Sequence, residues 1–148
     1  VKSSEVDRVF ELESAGFPSD EAASLETIKY RQTVASDLFI GAYDPSNQLI
    51  GYINATRSTT SVLDHQSMTT HQPEGPYILI HSVCIEAAQR RKGLATTLLK
   101  HYIDLFKGSC SELLLVCHQE LKPLYLAVGF RDLGKSDLVH GGIAWWEM

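Results

Sequence analysis

Three cysteines in 148 residues, none in a C-x-x-C pair, are too few and wrongly spaced for a disulfide framework or a cysteine-based zinc site. Cys84, Cys110 and Cys117 therefore read as free thiols, and no metal is expected. Long apolar runs are missing too: no stretch approaches the ~20 residues that span a bilayer, and no signal-peptide pattern opens the chain. The expectation is a cytoplasmic protein without a membrane partner. Positive charge is also scarce. Thirteen Lys and Arg against 18 Asp and Glu give a net charge of −5, and the cations form one short cluster instead of a stripe, which disfavours nonspecific nucleic-acid binding and suits a cationic small molecule. Internal repeats, low-complexity segments and linkers are absent, so one buried core is expected, a single domain over residues 1–148. The chain starts at Val1 without a methionine, and a partly missing first strand is expected.

One stretch dominates what is present. Residues 77–85 form a β-branched apolar run, a short polar segment follows, and from about Gly93 onward Leu94, Leu98, Leu99, Tyr102, Ile103 and Phe106 recur at helical spacing. A strand feeds a helix. At the junction, Arg90-Arg91-Lys92-Gly93-Leu94-Ala95 sets three cations and small residues where the helix begins, so several unpaired backbone N–H groups face one space. A diphosphate suits such a site; a merely solvated turn is the alternative.

Upstream, Ser3-Ser4 precedes a helix expected to bury Val6, Val9, Phe10 and Leu12, which ends in the bend Gly16-Phe17-Pro18. A second helix is predicted from Ser19-Asp20, carrying Ala22, Leu25, Ile28 and Tyr30 toward the core. Residues 37–43 and 49–57 read as a hairpin around Asp44-Pro45-Ser46-Asn47-Gln48, and residues 58–76 as a long, mobile surface loop. Downstream, 112–117 reads as a buried strand parallel to the one at 78–85, making a βαβ unit. A helix then carries Pro123 in its first turn and stops at Gly129. Runs at 130–133 and 143–148 read as a closing antiparallel pair.

The R-x-x-G-x-A spacing, placed after a strand and before a helix, resembles the acetyl-CoA pyrophosphate loop of the GNAT superfamily of N-acetyltransferases. Lys122-Pro-Leu-Tyr-Leu-Ala-Val-Gly-Phe130 resembles that family's P-x-Y-x-x-x-G-F helix. Phe10-Glu-Leu-Glu-Ser-Ala-Gly-Phe17 and the ending Trp145-Trp-Glu-Met148 are similar to arylalkylamine (serotonin) N-acetyltransferases, most of all the non-vertebrate type. The element order resembles the same fold over almost the whole chain, with the first strand abbreviated or absent. The resemblance implies an α/β (α+β) domain: a mixed central sheet with a splayed parallel strand pair and helices on both faces.

It also implies acetyl-CoA as co-substrate and direct acetyl transfer to small primary amines, arylalkylamines such as tryptamine, serotonin or phenylethylamine and also polyamines. Acyl transfer needs a neutral amine, yet an alkylamine with a pKa of about 10 is almost wholly protonated near neutrality; the departing thiolate needs an acid. His81 and Tyr125 are the candidates. By resemblance Tyr125 is the acid at the thioester sulfur. His81 lies on the cleft strand, where the vertebrate enzymes carry a His-x-His pair; the first position here is Leu79, which leaves a single base or a water chain. Ser82, Val83, Cys84 and Ile85 are implied to present backbone groups to the pantetheine arm, and Arg90, Arg91, Lys92, Gly93, Leu94 and Ala95 to hold the diphosphate. The thioester is implied to lie near Cys117. Cys84 and Cys117 read as structural, since the family transfers without an acyl-cysteine; Cys117-His118 is the one adjacent pair that merits a test as a nucleophile and base. Phe17, Pro18 and Trp145 match the acceptor pocket, with a core role as the alternative. The competing functions are a peptide or protein N-acetyltransferase and a non-catalytic acyl-CoA-binding module. No obligate protein partner is expected.

Overall fold

The computed structural model describes residues 1–136 and 146–148. A single 3-10 turn, Ser3–Glu5, runs into α1, Val6–Gly16. Val6, Val9 and Leu12 are buried as their spacing predicts, but Phe10 is 37% exposed and Glu13 takes the inward position. The reason is rotation: at 3.6 residues per turn Phe10 stands about 100° off Val9, whereas Glu13 lies one turn beyond it.

The second helix, α2, spans Leu25–Val34 and begins later than predicted. Ser24 caps it by accepting the Thr27 N–H at 3.1 Å. Residues 19–23 stay non-helical because the Pro18 carbonyl accepts the amides of both Glu21 and Ala22 at 2.9 Å, and a Glu13 oxygen takes the Ala23 N–H at 3.0 Å. Ile28 is buried, but Tyr30 is 39% exposed and Arg31 turns inward in its place.

Strands β1, Ile40–Tyr43, and β2, Leu49–Ser58, form the expected hairpin, although Ser36–Leu38 ahead of it is a 3-10 turn. The segment after β2 is more ordered than a surface loop. It holds a short helix, α3, His65–Thr69, capped by Asp64, and is tied down by Gln72 N–H to the Arg57 carbonyl (2.9 Å) and His71 N–H to the Tyr30 hydroxyl (3.1 Å). The chain continues through β3, Tyr77–Ile85; α4, Leu94–Phe106; β4, Glu112–Leu114; β5, Val116–Cys117; α5, Lys122–Ala127; β6, Gly134–Lys135; and β7, Trp146–Glu147. The closing pair exists as β6 against β7, offset from the runs predicted. Trp145 lies outside the described residues.

Among the described residues the strands make a four-stranded sheet, β1-β2-β3-β4, and a three-stranded one, β5-β7-β6. Only β3 and β4 are parallel, and they pair at just three positions, Tyr77 with Glu112 through Leu79 with Leu114. The predicted single strand at 112–117 breaks at Leu115, which instead exchanges both backbone bonds with Met148 (2.8 and 3.1 Å). Beyond Leu79 the two parallel strands therefore part, leaving one edge of β3 open.

At the same place β3 carries a bulge. Asn54 pairs with Ser82 and Ala55 with Ile80, so His81 is the extra residue. The phase of the strand shifts accordingly. Ile78 and Ile80 before the bulge, and Val83 and Ile85 after it, all pack into the core shared with Leu98, Leu99 and Tyr102 of α4. Cys84 packs on the other face with Val9 and Leu12 of α1 and Ile28 of α2. Without the inserted residue, strict alternation would have sent Ile85 to the wrong face. Helices thus cover both faces of the sheet, and α4 is tied across it by the Tyr102 hydroxyl donating to the Leu38 carbonyl at 2.7 Å.

Candidate functional site

Where β3 parts from the broken strand, a cavity of 290 Å³ opens, roofed by the α1–α2 loop. Five of the sequence candidates besides Phe17 come together in its wall: His81, Ser82, Val83, Cys117 and Tyr125. Pro18 does not join them. It is exposed, and its carbonyl organises the loop instead. A second hollow of 230 Å³, lined by Ile103, Leu113, Phe130 and Met148 among others, includes none of the candidates.

Tyr125 sits on a helix whose sequence fixes it locally. Pro123 occupies the first turn, where no N–H is needed. Gly129, with φ of 107°, lets the chain reverse so that the Phe130 amide returns to the Tyr125 carbonyl at 3.0 Å. Phe130 then packs edge-on against the Tyr125 ring, with centroids 5.7 Å apart. Burial, with a smaller contribution from Cys117, raises the phenol well above its ordinary range. The ring is a neutral, held proton donor.

His81, the bulge residue, donates or accepts through Nε2 with the Thr56 hydroxyl at 2.8 Å. Its Nδ1 is buried and, among the described residues, unpartnered, as are both amide atoms of Asn54 beside it in the register. Burial, reinforced by Arg31, holds the imidazole well below its usual range, so it is neutral. Its ring borders the cavity, but in this conformation neither nitrogen is offered to a molecule inside.

The cysteines are thiols, not thiolates. Burial pushes both Cys84 and Cys117 up to about 11, and Cys84 Sγ donates to the Leu12 carbonyl at 3.3 Å, away from the cavity. This agrees with structural roles.

The open edge of β3 supplies backbone groups. The Glu86 amide donates to the Ile50 carbonyl of β2 at 2.7 Å; by the two-residue period, Cys84 and Ser82 amides also face β2, and those of Val83 and Ile85 face the open side. Arg91 and Gly93, with φ of 64° and 75°, then wind the chain into α4. The first intrahelical bond is Thr97 N–H to the Gly93 carbonyl at 3.0 Å, so the preceding amides project from the helix start. Arg90 is not one of the projecting cations: its Nε donates back to the Ile85 carbonyl at 3.1 Å, which braces the loop.

Sequence reasoning missed the polar floor of the site. Glu13, 2% exposed, accepts from the Tyr52 hydroxyl, from Ser82 Oγ at 3.0 Å and from the Ala23 amide at 3.0 Å. Burial pulls Arg31 down and the Glu13 charge opposes it. The signal was in the spacing. Glu13 follows Val6 by seven residues and Val9 by four, on the buried stripe, and Arg31 follows Ile28 by three. Glu13→Ala is expected to strip Arg31 of its compensating charge and orphan two hydroxyls, costing about 3–5 kcal/mol; urea denaturation measures it. Glu21 was unforeseen as a partner for His118: the histidine stands out in the sequence only beside Cys117, yet its Nε2 meets Glu21 Oε1 at 2.5 Å across 97 residues, both lining the cavity.

The model of the Acetyltransferase (GNAT) family matches residues 6–130. The serotonin N-acetyltransferase of Mesocricetus auratus is 24% identical over 145 residues, covering 95% of this chain and 70% of its own. Among solved structures, the GphF GNAT-like decarboxylase in complex with isobutyryl-CoA superposes with a TM-score of 0.84 at 15% identity, covering 99% of this chain and 94% of that one. The phosphinothricin acetyltransferase of Sinorhizobium meliloti in complex with AcCoA gives 0.70 at 15%, covering 100% and 84%.

Proposed function

Because the chain belongs to the GNAT family of acetyltransferases, we propose that it transfers the acetyl group of acetyl-CoA to small primary amines, arylalkylamines first and polyamines second. The observation that carries this reading is the cavity itself: it sets a neutral, proton-holding Tyr125 and two carboxylates, Glu13 and Glu21, against the open edge of β3. Arg31 in the same wall offsets Glu13, which leaves Glu21 as the carboxylate that favours a cationic acceptor, and Phe17 adds an aromatic surface for its ring. The 24% identity to a serotonin N-acetyltransferase points the same way.

The residues present fit acetyl-CoA. The Val83 and Ile85 amides on the free strand edge match an extended amide-bearing arm, and the amides at the start of α4, with Arg91 and Lys92 beside them, match a diphosphate. The amine enters as an ammonium and must lose a proton. Its nitrogen lone pair then attacks the thioester carbonyl, a C–N bond forms, and the C–S pair returns to sulfur. Tyr125 protonates that sulfur, and the second proton of the attacking nitrogen restores the phenol. Overall one ammonium and one thioester give one amide, one thiol and one proton. The unpaired thiols of Cys84, Cys110 and Cys117 fit a reducing compartment, and the cytoplasm is the location we assign.

Initial-rate thiol release from acetyl-CoA tests the reading with tryptamine, phenylethylamine, spermine and a short lysine peptide. Release with the aromatic amines, alone or with spermine, is expected. Release with the peptide alone would transfer the protein to peptide acetylation. Acetyl-CoA binding without release to any acceptor would make it a binding module.

A further inference from the structure

Which group takes the first proton from the ammonium is open in the scheme above, and the conformation of His81 argues against that residue. One ring nitrogen is engaged by Thr56 at 2.8 Å, and the other has no accessible surface. A proton arriving from the cavity would have to reach a sealed atom and charge a ring that burial and Arg31 already hold neutral.

A second imidazole lines the same cavity. His118 follows β5 directly and is fixed there by its own carbonyl, which accepts the Leu121 amide at 3.0 Å. Its Nε2 lies 2.5 Å from Glu21 Oε1, with the side chains 15% and 4% exposed. Glu21 comes from a different element, the loop that the Pro18 carbonyl organises. The pair thus joins the end of β5 to the α1–α2 loop in the cavity wall. An imidazole backed by a buried carboxylate is the arrangement that accepts a proton in one step and holds the resulting imidazolium.

We propose that the His118–Glu21 pair, and not His81, takes the proton from the incoming ammonium: the His118 ring receives it and the Glu21 carboxylate stabilises the charge. The N–H bond of the ammonium breaks with its electron pair left on nitrogen, and the proton later leaves the ring to solvent. Glu21 thereby acts twice, drawing the cation in and orienting the ring. The inference rests on the amine-acetylation reading. The other ionisable groups of the cavity are Glu13 from α1, Arg31 from α2, His81 from β3, Cys117 from β5 and Tyr125 from α5. Among them Glu13 is engaged by Tyr52, Ser82 and Ala23, and Tyr125 and Cys117 hold their protons.

The test is the pH profile of kcat/KM for tryptamine in the wild type, His118→Gln, Glu21→Gln and His81→Gln, beside acetyl-CoA affinity and thermal melting of each. His118→Gln is expected to lose about 10²-fold or more in turnover at neutral pH, in the range of general base catalysis, with acetyl-CoA affinity kept and the acid limb of the profile gone. Glu21→Gln shifts that limb, whereas His81→Gln keeps it. A weakly basic amine, already neutral at pH 7, needs no base, so the loss in His118→Gln should be much smaller for it than for tryptamine. An acid limb that survives in His118→Gln and vanishes in His81→Gln overturns the assignment. So does an equal loss in His118→Gln with both kinds of amine. A wild-type protein that releases no thiol with any acceptor would instead refute the acetylation reading, and this inference with it.

Discussion

Gly93→Asp is expected to abolish acetyl-CoA binding while leaving the fold standing. The position has φ of 75° and a Cβ built there meets no atom within 4 Å, so the only internal cost is that of a left-handed backbone, about 1–2 kcal/mol for an ordinary residue and less for Asp. A carboxylate at a helix N-cap even offsets part of that by accepting the free amides. Those amides are the ones assigned to the diphosphate. The carboxylate takes the donors and adds a like charge: two negative charges ~4 Å apart repel by about 4 kcal/mol at an effective dielectric of 20, roughly a thousand-fold in affinity. Titration calorimetry with acetyl-CoA and free CoA, run beside a thermal melt, reads both halves of the prediction. Gly93→Ala isolates the backbone term, because it changes φ preference without charge and should weaken binding far less. Normal affinity in Gly93→Asp would remove the diphosphate from the start of α4, and with it the role given to the loop from Arg90 to Ala95.

That loop was legible in the sequence because its determinants are local. A strand pattern, a glycine and a helical period lie within thirty residues, and the same holds for Pro123, Tyr125 and Gly129, whose backbone demands are met inside one turn. The splay was harder. The run Leu113-Leu114-Leu115-Val116 is equally apolar whether it stays with β3 or crosses to β7, and the crossing is decided by Met148, thirty-three residues on. The start of α2 misled for a related reason: Ser19 and Ser24 are both acceptable caps, and the choice between them is made by Glu13 holding the Ala23 amide. Phe10 and Tyr30 were placed inward on hydrophobicity, and it is the charged residues Glu13 and Arg31 that occupy the inner stripe. A buried charge shows in a sequence only as a break in an apolar period, and its partner shows not at all. His118 and Glu21 lie far apart in the chain with no shared pattern, so only the folded cavity unites them.

Tyr125→Phe is expected to lower turnover by about 10²- to 10³-fold, the range of a lost general acid, with acetyl-CoA affinity and melting temperature close to wild type. The substitution removes one oxygen and keeps the ring that packs on Phe130 at 5.7 Å, so the effect is confined to proton donation. Burial holds the phenol proton through neutral and alkaline pH, and a donor of that kind acts best in concert with C–S cleavage, when charge on sulfur is still growing and the attacking nitrogen is ready to replace the proton. The loss should therefore fall on kcat and on single-turnover acetyl transfer alike, and not on product release. If Tyr125→Phe kept wild-type turnover, the next donor to test in the cavity would be the Cys117 thiol, which burial raises to about 11. Cys117→Ala in the Tyr125→Phe background then decides the matter: a further fall in rate assigns the acid to Cys117, and an unchanged rate means that the thiolate departs without protonation by either side chain.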